Sequence, residues 1–185
     1  METASTTSDR YSRGAVVLHW LIALLIILNL IGAFVAEDLP KADKAMVMGY
    51  HKATGITILV LTLARIVWRL MHKAPPMVET LKAWEAALAR VTHAGFYFLM
   101  LAVPLTGWAM SSAFSKGGPV SMFGLFDVPA LPVGTDKPTA DMFYELHEIF
   151  AFVMIGLFVL HLGAALKHHF VDKDGTMRRM VPWLK

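Results

Sequence analysis

Cysteine is absent from the 185-residue chain. Disulfides, thiolate zinc sites and cysteine-held iron–sulfur clusters are therefore excluded, and any metal chemistry must rest on histidine, methionine or carboxylates. Charge is scarce as well: Asp, Glu, Lys and Arg make up 17% of residues, against 56% hydrophobic. With a mean hydropathy of +0.55, the chain falls outside the soluble globular range. No repeat or low-complexity tract is visible.

What is present is four apolar stretches, at about residues 15–36, 46–70, 91–114 and 145–168. Each meets the roughly 20 residues that a helix needs to cross a bilayer core about 30 Å thick. The expected fold is an all-α integral membrane four-helix bundle over 15–170, with tails at 1–14 and 171–185. The first stretch has a basic flank, Arg10 and Arg13, but is too long for the apolar region of a signal peptide. Phe34 at −3 also spoils the small-residue cleavage pattern before Glu37, so the stretch is expected to be retained.

Lys and Arg resist translocation, which sets the orientation. With the N-terminus inside, one side carries Arg10, Arg13, Arg65, Arg69, Lys73, Lys82, Arg90, Lys167, Lys173, Arg178, Arg179 and Lys185. The other carries only Lys41, Lys44, Lys52, Lys116 and Lys137, with eight acids (Glu37, Asp38, Asp43, Asp127, Asp136, Asp141, Glu145, Glu148), a formal net of −3. Both termini are thus read as cytoplasmic in a bacterial inner membrane. The pI near 9.2 reflects this asymmetry and contact with anionic lipid, not nucleic-acid binding.

Histidines fall at two depths along these helices. His147 and His161 are fourteen residues apart, which on one helix is about 21 Å along the axis and within about 40° of the same face. Following the chain back and forth, His51 shares the outer level with His147. His19 shares the inner level with His161, and His93 lies near it. Ionisable residues inside membrane spans are costly and mark function. Two axial imidazoles fill both open positions of a haem iron and suit it to electron transfer, and facing helices of a bundle are the usual source of such ligands. The set His19, His51, His147 and His161 is therefore read as axial ligands to two haems. Gly55, Gly156 and Gly163 with Ala164 and Ala165 offer close backbone approach, a feature that helix packing alone also favours.

Arg65, fourteen residues after His51, returns to the same face at the inner level, with Arg69 a turn further on. One or both are expected to pair with inner haem propionates, the alternative being that they snorkel to the cytoplasmic interface. His168 is the rival for the inner ligand position, although Lys167-His168-His169 reads as an aqueous helix end. His72 and His169 are read as surface residues. Pro104 with Gly107 is expected to kink the third helix and make space for a ring or tail. In the outer loop, Met122, Phe123, Leu125 and Phe126 suit an interfacial helix or a lid over the outer level.

Several segments, in this order and helical placement, resemble the prokaryotic cytochrome b561 family. They are Arg10-Tyr11-Ser12 leading to His19-Trp20, His51-Lys52 with Gly55, Arg65 with Trp68-Arg69, His93 with Tyr97, Pro104 and Gly107, Leu146-His147-Glu148, and Ala165-Leu166-Lys167-His168-His169-Phe170. The likeness runs from about residue 10 to 180, and residues 122–129 with Asp172-Lys173-Asp174 look like one branch. The resemblance implies two haem b groups, each bound by two histidines, exchanging electrons with the ubiquinone/ubiquinol pool. In the family, helix four gives a ligand to both haems and helices one and two give one each, which carries over to His147 and His161, His19 and His51. The third-helix histidine, here His93, is not a ligand in that pattern; it is a candidate to bond a propionate or a quinone oxygen, or to cap the helix start.

The function these features imply is a transmembrane electron relay between a periplasmic donor or acceptor and the quinone pool. Family members include superoxide:ubiquinone oxidoreductases. A superoxide oxidase would need its anion steered by a positive entrance, against an outer net of −3, although the five outer lysines are available to form a positive mouth. Two further readings are a membrane electron-transfer subunit of a larger complex and a non-haem divalent-metal carrier. The carrier is disfavoured by the absence of Asp or Glu between the two histidine levels.

Overall fold

A computed structural model of the chain describes residues 10–78 and 81–181. Most of the 1–14 tail and the end of the 171–185 tail, including Lys185 of the inner charge set, lie outside the described residues. Four helices carry the chain: α1 Arg13–Glu37, α2 Lys41–Met71, α3 Ala83–Phe114 and α4 Lys137–Phe170. All four are long and apolar enough to cross a membrane. The fold is an all-α membrane bundle.

Helices α2, α3 and α4 begin five to eight residues ahead of the apolar runs at 46, 91 and 145, because polar caps extend them. The Asp136 carboxylate accepts from the Thr139 N–H at 3.0 Å and its hydroxyl at 2.9 Å, and Pro138 sits in the first turn of α4 where no N–H is needed. At the start of α3 the Lys82 N–H donates to Glu85 Oε2 at 3.0 Å. Before α2 the Pro40 carbonyl accepts from the Lys44 N–H at 2.9 Å.

Close backbone approach joins α1 to α2, α2 to α3 and, most extensively, α3 to α4. Helix α4 reaches α1 and α2 chiefly through side chains. Ile22, Ile58, Leu99, Met100 and Met154, drawn from all four helices, form a buried apolar layer. Met154 is seven residues from both His147 and His161, so this layer lies midway between the histidine levels. Residues such as Leu24, Leu28, Val60, Phe98, Val159 and Leu160 point outward and exposed, as lipid-facing residues should. Hydrocarbon surroundings remove the hydrophobic drive between helices and leave close packing in its place. One example is Gly14, where a Cβ would collide with the Trp68 indole.

The outer loop is not an interfacial helix but an antiparallel hairpin. Strand β1 Val120–Met122 pairs with β2 Phe126–Val128, with Met122 opposite Phe126. Its turn places Phe123 (φ 57°) and Gly124 (φ 77°) in the left-handed region, as a type I′ turn requires. Val120 and Met122 bury against Ala53, Ile56 and Trp108, so the hairpin covers the first half of α2 and the last turns of α3, while Leu125 is exposed. At the opposite end a 3₁₀ turn, Met177–Arg179, folds the C-terminal segment back, and the Trp20 indole N–H donates to the Met180 carbonyl at 2.7 Å.

Candidate functional site

At the outer level, His51 of α2 faces His147 of α4 with ring centroids 6.2 Å apart. Each ring is oriented by a backbone carbonyl. His51 Nδ1 lies 3.2 Å from the Asn29 oxygen of α1, and His147 Nδ1 lies 2.9 Å from the Val103 oxygen of α3. A carbonyl can only accept, so the proton sits on Nδ1 and Nε2 keeps its lone pair, the arrangement that metal-binding histidines use. Gly107 makes the His147 contact possible: a Cβ there would lie 2.8 Å from Cε1 and 3.0 Å from Nδ1 of the ring. The space expected from Pro104 and Gly107 is thus filled, at Gly107, by the imidazole itself.

At the inner level the ring centroid of His161 of α4 lies 6.4 Å from that of His19 and 6.0 Å from that of His93, with the Phe96 ring nearly perpendicular to it at 5.3 Å between centroids. For two imidazoles on opposite faces of one metal, a metal–nitrogen bond of about 2.0 Å puts ring centroids about 6.3 Å apart. His51–His147 and His19–His161 both match. His93–His161 matches by distance too; α3 packs closely along α4, whereas α1 does not. His93 is ten residues into α3 and therefore does not cap its start.

Whether a tetrapyrrole fits is tested by the glycines and by an orphaned polar atom. A Cβ on Gly55, one turn after His51 and within about 40° of its face, would meet nothing within 4 Å, leaving flat backbone surface beside that histidine. Gly156 and Gly163, by contrast, turn about 140–180° away from the α4 histidines and are exposed. The fully buried Thr62, on the same face of α2 as His51 to within about 20°, has a hydroxyl with no hydrogen-bond partner among the described residues. Such a group costs about 1–3 kcal/mol unless a ligand such as a carboxylate satisfies it. Both observations fit a haem with its propionates.

The family model for prokaryotic cytochrome b561 matches residues 10–183. Similar proteins include cytochrome b561 homolog 2 of Escherichia coli (strain K12), 32% identical over 96% of this chain and 94% of that protein. The probable superoxide oxidase CybB of Yersinia pestis is 32% identical over 94% of this chain and 96% of its own length. Cytochrome b561 homolog 1 of E. coli K12 is 28% identical, covering 94% of this chain and 98% of that protein.

The chain belongs to the prokaryotic cytochrome b561 family. It is a multi-pass bacterial membrane protein that binds haem b and transfers electrons. Membership leaves the divalent-metal-carrier reading without support.

The remaining cytochrome b561 candidates are also placed. Arg65 Nη1 donates to the Ala15 carbonyl at 2.9 Å, one turn before His19, and Arg69 lies 5.9 Å over the Tyr11 ring; both stand at the inner level, tied to the start of α1. His168 is held by Asp174 Oδ2 at 2.8 Å and Asp172 Oδ2 at 3.0 Å, away from the inner rings. Burial works to raise the Asp174 carboxyl, but hydrogen bonds from Thr176 and His168 outweigh it and hold the group below its ordinary value. Glu85, His168 and Asp172 converge within reach of one metal ion, yet the Lys167 ammonium already sits 2.9 Å from Glu85 and 2.6 Å from Asp172 and supplies the cation. His72 stacks on Trp68 at 4.2 Å, and His169 meets Phe170 edge-on at 4.6 Å. Sequence reasoning missed Thr62 and the carbonyls of Asn29 and Val103. Main-chain acceptors leave no residue-type signal.

Proposed function

We propose that the chain is a di-haem electron relay of the bacterial inner membrane, both termini cytoplasmic, linking a periplasmic donor or acceptor to the ubiquinone/ubiquinol pool. The reading is carried by one observation: two histidine pairs, His51–His147 and His19–His161, each at the separation of trans imidazoles and fourteen residues apart along α4. When bound, a bis-histidine haem supplies one-electron chemistry at an iron with no open coordination position.

The chain's own residues do the positioning. The Asn29 and Val103 carbonyls hold the outer imidazoles in the ligating tautomer. Ile22, Ile58, Leu99, Met100 and Met154 keep water and ions out of the space between the two levels. Arg65 and Arg69 offer cations at the inner level, suited to propionates, and His93 stands beside His161 as a donor to a propionate or quinone oxygen. The likeness to a probable superoxide oxidase supports superoxide as a second candidate donor, to be weighed against the outer net charge of −3.

The test is haem quantitation by pyridine haemochrome, with reduced-minus-oxidised spectra, on detergent-purified protein. Wild type should hold two b haems per chain, His161→Ala and His51→Ala one each, and His93→Ala two. A wild type with one haem, or a His161→Ala variant that keeps two, overturns the ligand assignment. With that settled, superoxide and ubiquinol offered in turn as donors distinguish the two readings.

A further inference from the structure

We propose that the tip of the β1–β2 hairpin inserts into the membrane, in the boundary layer between head groups and acyl chains beside the first half of α2. Three large apolar side chains crowd this tip and the protein leaves them uncovered: Phe123 is 48% exposed, Phe126 61% and Leu125 82%. Apolar side chains clustered and left bare by a fold mark a surface that something else covers. No charged residue occurs from 117 to 126, whereas a water-borne protein partner is steered and oriented by charge. Lipid is the occupant that needs none.

The depth of the tip points the same way. Phe123 stacks on Tyr50 of α2, with ring centroids 6.2 Å apart and planes 29° apart. Tyr50 is four residues, about 6 Å, inside the apolar run of α2 that starts near residue 46, so the turn lies level with a membrane-spanning segment instead of above it. Tyrosine is a residue of the membrane interface. Met46 and Tyr50, themselves exposed, continue the apolar surface of the tip onto α2. The cleft of about 270 Å³ there is lined by Met46, Gly49, Tyr50, Ser121, Phe123 and Gly124, none of them charged, and flexible acyl chains can fill such an irregular space.

The ladder limits how far the tip can go. Strand β1 buries Val120 and Met122, so its other face carries Ser121, which pairs with Asp127, and both are exposed. A carboxylate and unpaired strand edges are too costly for the hydrocarbon core; insertion is therefore shallow and tip-first. It depends on the membrane bundle alone and is independent of which histidines ligate haem and of which end faces the cytoplasm.

Because the chain has no cysteine, a single introduced one takes a nitroxide label at a unique position. Leu125→Cys, Phe126→Cys and, as the polar reference, Asp127→Cys are labelled in the full-length, haem-loaded protein and reconstituted in phosphatidylethanolamine–phosphatidylglycerol nanodiscs. Power-saturation EPR then compares collision with oxygen, which concentrates among acyl chains, and collision with a water-soluble nickel chelate. An unchanged Soret spectrum certifies the fold of each variant. The oxygen-to-nickel ratio at the Leu125 and Phe126 positions should exceed that at the Asp127 position by about threefold or more. Nickel-dominated collision at Leu125 and Phe126 puts the tip in water, and equal ratios at all three positions show no tip-first insertion; either overturns the proposal. So does protection of the Leu125 and Phe126 labels from both reagents, which marks cover by protein, and dipolar broadening that disappears on dilution with unlabelled chains identifies that protein as a second copy.

Discussion

Gly107 and Gly55 both face the interior of the bundle, yet they answer to different neighbours. At Gly107 the neighbour is this chain's own His147 ring, which an added methyl group would meet at 2.8 Å, so Gly107→Ala must push the imidazole off the Val103 carbonyl. Overpacking of this kind costs about 1–3 kcal/mol, and outer haem affinity should fall by about fivefold or more, read as haem lost on dilution or competition. At Gly55 an added Cβ meets no protein atom within 4 Å, and alanine is the better helix former by about 0.5–1 kcal/mol. Gly55→Ala should therefore leave the apoprotein as helical and stable as wild type while lowering its haem-to-protein ratio. Circular dichroism and the haemochrome assay, run on the same samples, separate the two effects; full haem retention shows that no macrocycle lies against Gly55. The four ligand candidates were legible as histidines at matching depths. The contacts that set their tautomers were not, because the carbonyls of Asn29 and Val103 exist as acceptors only once the helices are packed.

Among the elements, α4 depends on its first turn. Hydrogen bonds from the Thr139 backbone and hydroxyl hold the exposed Asp136 carboxyl below the usual aspartate range. A depressed folded value means that this contribution is present above the ordinary aspartate pKa and is lost as pH falls through the lowered one. The melting temperatures of wild type and Asp136→Asn, followed against pH, should differ near neutrality and draw together in acid; parallel curves would show that the cap carries no charge-dependent stability. In the hairpin, Gly124 at φ 77° makes Gly124→Ala cost about 1 kcal/mol, measured as a lowered Tm with haem content intact. These elements were the least legible. Hydropathy marks the membrane core of a helix and stops there, so the polar starts of α2, α3 and α4 lay outside the expected ranges. Met-Phe-Gly-Leu-Phe reads as an apolar patch, and a phenylalanine at positive φ is an uncommon way to make a turn.

On the scale of the whole molecule, charge asymmetry carries the proposed orientation, and packing sets α4 apart from α1 and α2. Eleven of the sixteen Lys and Arg among the described residues lie at the end where α1 starts and α4 finishes. A fluorescent protein that matures only in the cytoplasm should shine when fused after Lys185, and alkaline phosphatase inserted after Pro129, in the outer loop, should be active; the opposite pair of results would invert the assigned topology. Helix α4 packs along α3 and meets α1 and α2 mainly across its histidine pairs and the Met154 layer. The proposed flat cofactors would lie in this spacing, between α4 and its partners.

The residues taken in order determined the class, the number of spans, the charge asymmetry and the depth of each histidine, because hydropathy and helical pitch act locally and need no partner. Only the tertiary structure decided which rings face each other and at what distance. It also moved His168 to Asp172 and Asp174, exposed the orphaned hydroxyl of Thr62 and turned the outer loop into a hairpin. Each of these depends on the relative rotation and spacing of helices far apart in sequence, which close packing sets and no single helix encodes.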